Sequence, residues 1–303
     1  MLTETIPLWD DREEVRVQSY VLHQSKEFQS NVKRPAVIIC PGGAYLGTSD
    51  REAEPVALRF ASKGYHAFVL RYTTYFKEWV ADFRNPPPGN PLSVYPQPLL
   101  DLARTIALVR ENSAKWNIDA DRIAVTGFSA GGHLAASLGV HWHERWLSER
   151  LSVDNGRLKP NALVLGYAVL DYVLIREETA KGPNEMMKGL FEVSNRAVFG
   201  KAEPSMEELI ARSPAYHVTS DTPPTFLWHT AEDDGVFTQN SLRFATELAN
   251  QRIPYELHVF ENGPHGLSLC DETTAAIPEH LNPHAQVWFD MAISWLNKRL
   301  SVQ

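Results

Sequence analysis

The pentapeptide Gly127-Phe-Ser129-Ala-Gly131 combines residue types and spacing that suit nucleophilic acyl transfer. It follows the strand-like run Ile123-Ala-Val-Thr126 and opens onto His133-Leu-Ala-Ala-Ser-Leu-Gly-Val140, an apolar stretch with helical patterning. A chain that turns sharply from strand to helix crowds its own backbone, so the residues two before and two after the apex need to lack a bulky Cβ. Gly127 and Gly131 meet that condition with Ser129 at the apex. Such a turn lifts the hydroxyl above the strand end, and the helix N-terminus behind it offers unpaired N–H groups and a field that favours an oxyanion. The bland alternative, a glycine-flanked turn with a structural serine, accounts less well for the strand before it and the helix after it.

A serine nucleophile needs a base, and the base needs an orienting carboxylate; behind a turn of this kind they follow in the chain order serine, acid, histidine. Both are available in that order. The strand-like Thr225-Phe-Leu-Trp-His-Thr230 runs into Ala231-Glu232-Asp233-Asp234-Gly-Val236, and Tyr255-Glu-Leu-His-Val-Phe260 runs into Glu261-Asn-Gly-Pro-His265-Gly266. Both segments lie on loops after strands, on the same expected sheet edge as the serine loop. Of the eleven histidines, His265 alone combines that position with glycine-bracketed surroundings. His258 lies inside a strand, and His141 and His143 sit late on a helix facing different sides. His280 and His284 have the i,i+4 spacing of a metal pair, but Pro283 interrupts the helix such a pair needs, so no metal is expected. Spacing alone leaves Glu232, Asp233 and Asp234 open as the acid, with Asp171 as a further candidate.

The developing oxyanion needs donors. Cys40-Pro-Gly-Gly43-Ala44-Tyr45 follows the expected strand at 36–40, and a glycine-rich loop there leaves backbone N–H groups free to point inward. The elbow geometry itself offers the N–H of Ala130.

These side chains can meet only if regular elements carry them to a common edge. Short β-rich runs alternate with longer helical patterns, which predicts an α/β fold with a mainly parallel central sheet flanked by helices. Buried strands are expected at 36–40, 66–71, 123–126, 162–166, 225–230 and 255–260, and the alternation over 15–22 predicts an antiparallel edge. Helices are expected near 52–62, 98–112, 130–144, 239–251 and 284–299. Two stretches break the rhythm and read as lid-like insertions in a single domain spanning 1–303. The first, 75–98, carries a proline-rich run among Phe76, Trp79, Phe83 and Tyr95; the second, 172–221, reads as small and mostly helical.

Composition excludes other classes. With 303 residues, 44% hydrophobic and 22% charged, the chain is neither disordered, collagenous nor coiled coil. A formal charge of −8 repels a phosphate backbone, so nucleic acid is not an expected partner, and it favours a neutral substrate. The longest apolar stretch, 162–170, is half a bilayer span, and the first residues lack a signal-peptide pattern. A cytoplasmic protein without a membrane partner is expected. Cys40 and Cys270 lack CxxC spacing and read as core residues. The oligomeric state is left open, a homo-oligomer included.

Taken together, the chain resembles α/β hydrolases, in particular the esterase/lipase branch that includes acetyl xylan esterases and related carbohydrate or feruloyl esterases. The resemblance runs from about Ile6 to Leu296. It rests on Ile6-Pro-Leu-Trp9, on Pro41-Gly-Gly-Ala-Tyr45 where hormone-sensitive-lipase relatives have His-Gly-Gly-Gly, on Tyr95-Pro-Gln-Pro-Leu-Leu-Asp101, on Gly127 through His133, and on Pro264-His-Gly266. It implies an α/β-hydrolase fold with Ser129 as nucleophile, His265 as base, Asp233 as acid, and Gly43, Ala44 and Ala130 as oxyanion donors. The activity it implies is that of a serine carboxylesterase acting through an acyl-enzyme, without cofactor, on a small-molecule or oligosaccharide ester. The acyl group would be small, acetyl first, on a sugar or xylo-oligosaccharide. Tyr45, Trp79 and Tyr95 are the substrate-contacting candidates, aromatic faces able either to stack on sugar rings or simply to pack a lid. An amidase or peptidase of the same fold, such as an arylformamidase-like enzyme, and an inactive binding protein on the same scaffold are the alternatives.

Overall fold

Sheet register decides which loops of this chain can meet. The computed structural model describes residues 1–25, 27, 32–77, 80, 87–182 and 184–300. Among these, eight strands form one sheet: β1 (Leu2–Pro7), β2 (Arg16–Val21), β3 (Arg34–Cys40), β4 (His66–Arg71), β5 (Ile118–Phe128), β6 (Ala162–Gly166), β7 (Thr225–Thr230) and β8 (Tyr255–Phe260). Their spatial order is β1-β2-β4-β3-β5-β6-β7-β8. β2 is antiparallel to β1 and to β4, and every other pairing is parallel. Cys40 is level with Gly127, Phe128 with Gly166, Gly166 with Trp228, and Thr230 with Phe260. The loops after β3, β5, β6, β7 and β8 therefore leave from one edge, where open α/β sheets bind ligands.

The helices are α1 (Glu54–Ser62), α2 (Gln97–Glu111), α3 (Ser113–Trp116), α4 (Ser129–His141), α5 (Arg145–Leu151), α6 (Tyr172–Lys181), α7 (Glu185–Phe199), α8 (Met206–Ala211), α9 (Gln239–Asn250) and α10 (Trp288–Arg299). They cover both faces because consecutive strand side chains point to opposite sides. Ile38, Val125, Leu165 and Leu227 pack with α2, α4 and α9, while Val37, Ile39, Val164 and Trp228 pack with α1 and α10. All of these side chains are inaccessible to solvent, and each large one contributes about 1.5–3 kcal/mol by leaving water. Cys40 and Cys270 are buried, unpaired thiols within this packing.

The expected strands all form, with two differences. The antiparallel segment at 15–22 is not the edge: β1 pairs outside it, a strand with little burial to advertise it. β5 begins at Ile118, before the most buried part of the strand. The helix expected over 284–299 starts only at Trp288, preceded by a 3-10 turn at Ala285–Val287.

Within 172–221 the chain forms α6, α7 and α8, each opened by a side-chain cap. Asp171 accepts from the Leu174 N–H, Asn184 from Met187, and Ser205 with Glu208 forms a reciprocal capping box. α7 is seated on the sheet edge. Ser194 Oγ donates to the Ala44 carbonyl at 2.9 Å, and Ser93 Oγ to the Ala197 carbonyl at 3.0 Å. Trp79 and Phe83, with Pro86 at the head of the proline-rich run, lie outside the described residues. No helix among the described residues is long and apolar enough to cross a membrane.

Candidate active site

The turn from β5 into α4 has the crowding that its glycines anticipate. Ser129 takes φ 52°, in the left-handed region. A Cβ on Gly131 would lie 2.0 Å from the Cys40 carbonyl oxygen, and one on Gly127 2.2 Å from the Gly131 carbonyl oxygen. Both obstacles are backbone, so neither can yield.

Ser129 Oγ lies 2.9 Å from His265 Nε2, and His265 Nδ1 lies 2.8 Å from Asp233 Oδ2. The carboxylate can only accept, so Nδ1 carries the hydrogen and Nε2 is left to accept from the serine hydroxyl. The Asp233 carboxylate has further partners. Asp233 Oδ1 accepts from the N–H groups of Gly235 (3.0 Å) and Val236 (2.8 Å), and His229 Nε2 lies 3.2 Å from Oδ2. His229 is fully buried, with Nε2 also 2.7 Å from the Val236 carbonyl and Nδ1 2.8 Å from Ser241 Oγ. Because the Val236 carbonyl only accepts, the His229 hydrogen is on Nε2, the side that faces Asp233.

The neighbouring acids are placed differently. Asp234 is exposed, and Glu232 accepts from Asn262 and the Gly263 N–H. Asp171 is buried as the cap of α6 and pairs with Arg243. Of the rival histidines, His258 pairs with Glu256 and His141 with Glu144. Among the described residues no group of three or more His, Cys, Asp or Glu is spaced to hold a metal ion.

Charge reinforces this geometry. Burial by itself raises the Asp233 carboxyl, but the facing charge of His265 and the hydrogen bonds from His229 and His265 outweigh it and hold the group well below the usual carboxylate range. Burial by itself lowers His265, but the Asp233 carboxylate, with smaller contributions from Glu52 and Asp234, carries it above its ordinary value.

Opposite the serine, the loop after β3 places Ala44 and Tyr45 at φ 55° and 60°, two consecutive non-glycine residues in the left-handed region. Among the described residues, no acceptor takes a hydrogen bond from the N–H of Gly43 or Ala44. Ala130, in the first turn of α4, has no carbonyl four residues back within the helix. All three line the same cavity as Ser129 and His265.

That cavity measures about 430 Å³. Its larger wall is apolar, with Leu46, Phe76 and Val169 facing Leu190 and Phe191 of α7, and Thr48, Ser49 and Arg51 supply a polar side. Tyr45 and Tyr95, expected as substrate-contacting residues, are not on this lining. The Tyr45 hydroxyl meets His133 Nδ1 at 2.6 Å, while His133 Nε2 lies 2.7 Å from the Arg212 carbonyl. Tyr45 is thus a buried strut on the loop after β3. Tyr95 lies beneath the Arg212 guanidinium, 4.0 Å from its ring centroid. The third candidate, Trp79, is outside the described residues.

Sequence reasoning passed over Glu52, His133 and His229. His133 and His229 carried a faint signal, each a polar residue in an otherwise apolar helix or strand. Glu52 carried none, sitting in the charged run Asp50-Arg-Glu-Ala-Glu54 that reads as solvated surface.

With this geometry in place, the BD-FAE family model matches residues 23–248. The chain belongs to the BD-FAE family. It shares the α/β-hydrolase fold of the esterase/lipase group. It is 34% identical over 243 residues to endo-1,4-beta-xylanase B of Butyrivibrio fibrisolvens, covering 80% of this chain and 34% of that one. It spans between a third and a half of the length of the first three curated relatives that it matches. Among solved structures, the acetyl ester-xyloside bifunctional hydrolase from Caldicellulosiruptor lactoaceticus is similar at 32% identity and TM-score 0.72, over 97% of this chain and 96% of that one. The carboxylesterase Cest-2923 from Lactobacillus plantarum WCFS1 is similar at 28% identity and TM-score 0.81, over the whole of both chains.

Proposed function

We propose that this BD-FAE family member is a serine carboxylesterase working by two-step acyl transfer. The observation that carries the reading is the hydrogen-bonded line from Ser129 through His265 to Asp233 at the wall of a cavity that also holds unengaged backbone donors. His265 takes the Ser129 proton as the hydroxyl attacks the ester carbonyl, and then gives that proton to the departing alcohol. Asp233 holds the imidazole tautomer and faces the imidazolium. The N–H groups of Gly43, Ala44 and Ala130 receive the oxyanion, each such donor being worth roughly 10²–10³ in rate. Water repeats the cycle on the acyl-enzyme.

Within this proposal residues 1–303 act as one catalytic unit, with Phe76 and Val80 of the first insertion and Leu190 and Phe191 of the second walling the cavity. A small acyl group, acetyl first, on a sugar or xylo-oligosaccharide is the substrate suggested by the names of the xylanase and acetyl ester-xyloside hydrolase relatives. The sugar hydroxyls would use the Thr48, Ser49 and Arg51 side. A second reading is favoured by the apolar wall, which offers sugar hydroxyls few partners and rewards burial of apolar surface at about 25 cal/mol/Å². There the substrate is an ester with a larger apolar acyl or aryl group.

Two measurements test these readings. Ser129→Ala is expected to abolish hydrolysis of p-nitrophenyl acetate and labelling by a fluorophosphonate; retention of either sinks the mechanism. A panel of acetylated xylo-oligosaccharides against p-nitrophenyl esters of increasing chain length separates the substrates, a clear preference for long acyl chains overturning the small-acyl reading.

A further inference from the structure

Glu52 is 4% exposed and lines the cavity, yet the acyl-transfer scheme gives it no task. Its Oε2 accepts from the Gly42 N–H at 2.7 Å, and its Oε1 accepts from the Tyr167 hydroxyl at 2.7 Å. Both carboxylate oxygens are thereby engaged as acceptors. Tyr167 extends the connection. Its hydroxyl accepts from the Ser268 N–H at 2.8 Å, and its ring packs edge-on against His265 with centroids 5.1 Å apart.

The rest of the short turn at 49–52 grips the same two loops. The Ser49 N–H donates to the Gly42 carbonyl at 2.9 Å, the Arg51 guanidinium donates to the Gly266 carbonyl at 2.9 Å, and Ser268 Oγ donates to the Arg51 carbonyl at 2.7 Å. Gly42 immediately precedes the oxyanion donors, and Gly266 follows His265.

We propose that Glu52 is a positioning residue of the acyl-transfer site, joining the loop of the oxyanion donors to the loop of the base and holding a second negative charge that faces the imidazolium formed on His265. The inference rests on the reading of His265 as the base. The groups around that imidazole are Asp233 and Asp234 from the acid loop, Tyr167 from the segment after β6, and Glu52 and Arg51 from the 49–52 turn. The Arg51 guanidinium is engaged by the Gly266 and Thr274 carbonyls. Of the two carboxylates beyond Asp233, Asp234 is exposed and Glu52 is buried, so solvent screens Glu52 less.

The test follows the pH dependence of Ser129 inactivation by a fluorophosphonate in the full chain, comparing wild type, Glu52→Gln and Tyr167→Phe. Glu52→Gln removes the charge at nearly constant size. Its acid-side midpoint is expected to move to lower pH, and its plateau rate to fall roughly 10- to 100-fold as the two loops lose register. Tyr167→Phe keeps the charge and cuts the link to Ser268, so its plateau falls while its midpoint stays with wild type. A Glu52→Gln midpoint equal to wild type overturns the charge role. Should that variant not fold, a Tyr167→Phe plateau equal to wild type overturns the bracing role. Labelling of wild type that persists in Ser129→Ala signals instead that the underlying serine reading has failed.

Discussion

Asp233→Asn isolates the acid, and the size of its effect follows from the hydrogen bonds around the carboxylate. Oδ1 accepts two backbone N–H groups, and Oδ2 faces His265 Nδ1 and His229 Nε2. An amide has one oxygen to offer. Placed at Oδ2, it turns its NH₂ against Gly235 and Val236, whose hydrogens cannot move. Placed at Oδ1, it turns its NH₂ toward the two imidazoles, and His265 relieves its share by shifting its hydrogen to Nε2. That second arrangement has the easier escape, and it leaves the base with a donor where it needs an acceptor for the Ser129 proton. Loss of the correct tautomer costs about 10⁴ in kcat, or about 5.5 kcal/mol of barrier. KM should change little, because Asp233 is buried behind His265 and does not line the cavity. His229 keeps a donor aimed at a donor, so a further destabilisation of about 1–3 kcal/mol is expected in urea unfolding. The assay is steady-state hydrolysis of p-nitrophenyl acetate at pH 7.5 with circular dichroism as the fold control. Asp234→Asn, at an exposed position, is the comparison and should stay within about threefold of wild type. The reasoning is refuted if folded Asp233→Asn keeps more than a tenth of wild-type kcat, or if Asp234→Asn loses as much.

Four further outcomes are expected. Because the Asp233 charge carries His265 above its ordinary value, the acid limb of kcat/KM should have its midpoint above the free-imidazole value of about 6.5, and a midpoint below it contradicts the pairing. The same pair sets signs for stability. Asp233 is held below its unfolded value, so its contribution is present above about pH 4 and lost as pH falls further, whereas His265, held above its unfolded value, contributes below about pH 6.5 and loses that contribution as pH rises through its folded midpoint; unfolding midpoints of wild type and Asp233→Asn should therefore converge in acid. Gly131→Ala brings a Cβ to 2.0 Å from the Cys40 carbonyl oxygen and 2.4 Å from that of Pro41, so about 3 kcal/mol or more of stability should be lost, and a variant as stable as wild type in urea contradicts the crowded turn. Tyr45→Phe leaves His133 Nδ1 without its donor, which should cost about 1–3 kcal/mol and lower kcat at unchanged KM; a KM effect alone would return Tyr45 to the substrate.

Ser129 and His265 were legible because their signals are local. A sharp turn restricts its own neighbours, so Gly127 and Gly131 announce it, and a glycine-bracketed histidine after a strand is conspicuous among helical and strand histidines. The α/β class was legible for a related reason, since buried parallel strands are near-continuous apolar runs and their covering helices are long. β1 was missed because an edge strand with few buried side chains leaves a weak pattern. Asp233, Asp234 and Glu232 are adjacent in the chain, and only the turn after β7, closed by the Gly235 and Val236 N–H groups on Oδ1, points one of them at His265. The places of Tyr45 and Tyr95 were not legible because an aromatic on a loop has the same local pattern whether it faces a cavity or a partner such as His133.

Glu52 marks the boundary most clearly. Its own neighbours describe a solvated charge, yet it is buried between Gly42 and Tyr167, partners 10 and 115 residues away. Chemistry confined to a few consecutive residues, the elbow and the strand-helix alternation, follows from local sterics and periodicity and can be read along the chain. Which carboxylate faces His265, which tyrosine braces a loop and which charged residue is taken out of water depend on contacts across the sheet edge, and those exist only once the strands fix the register of their loops.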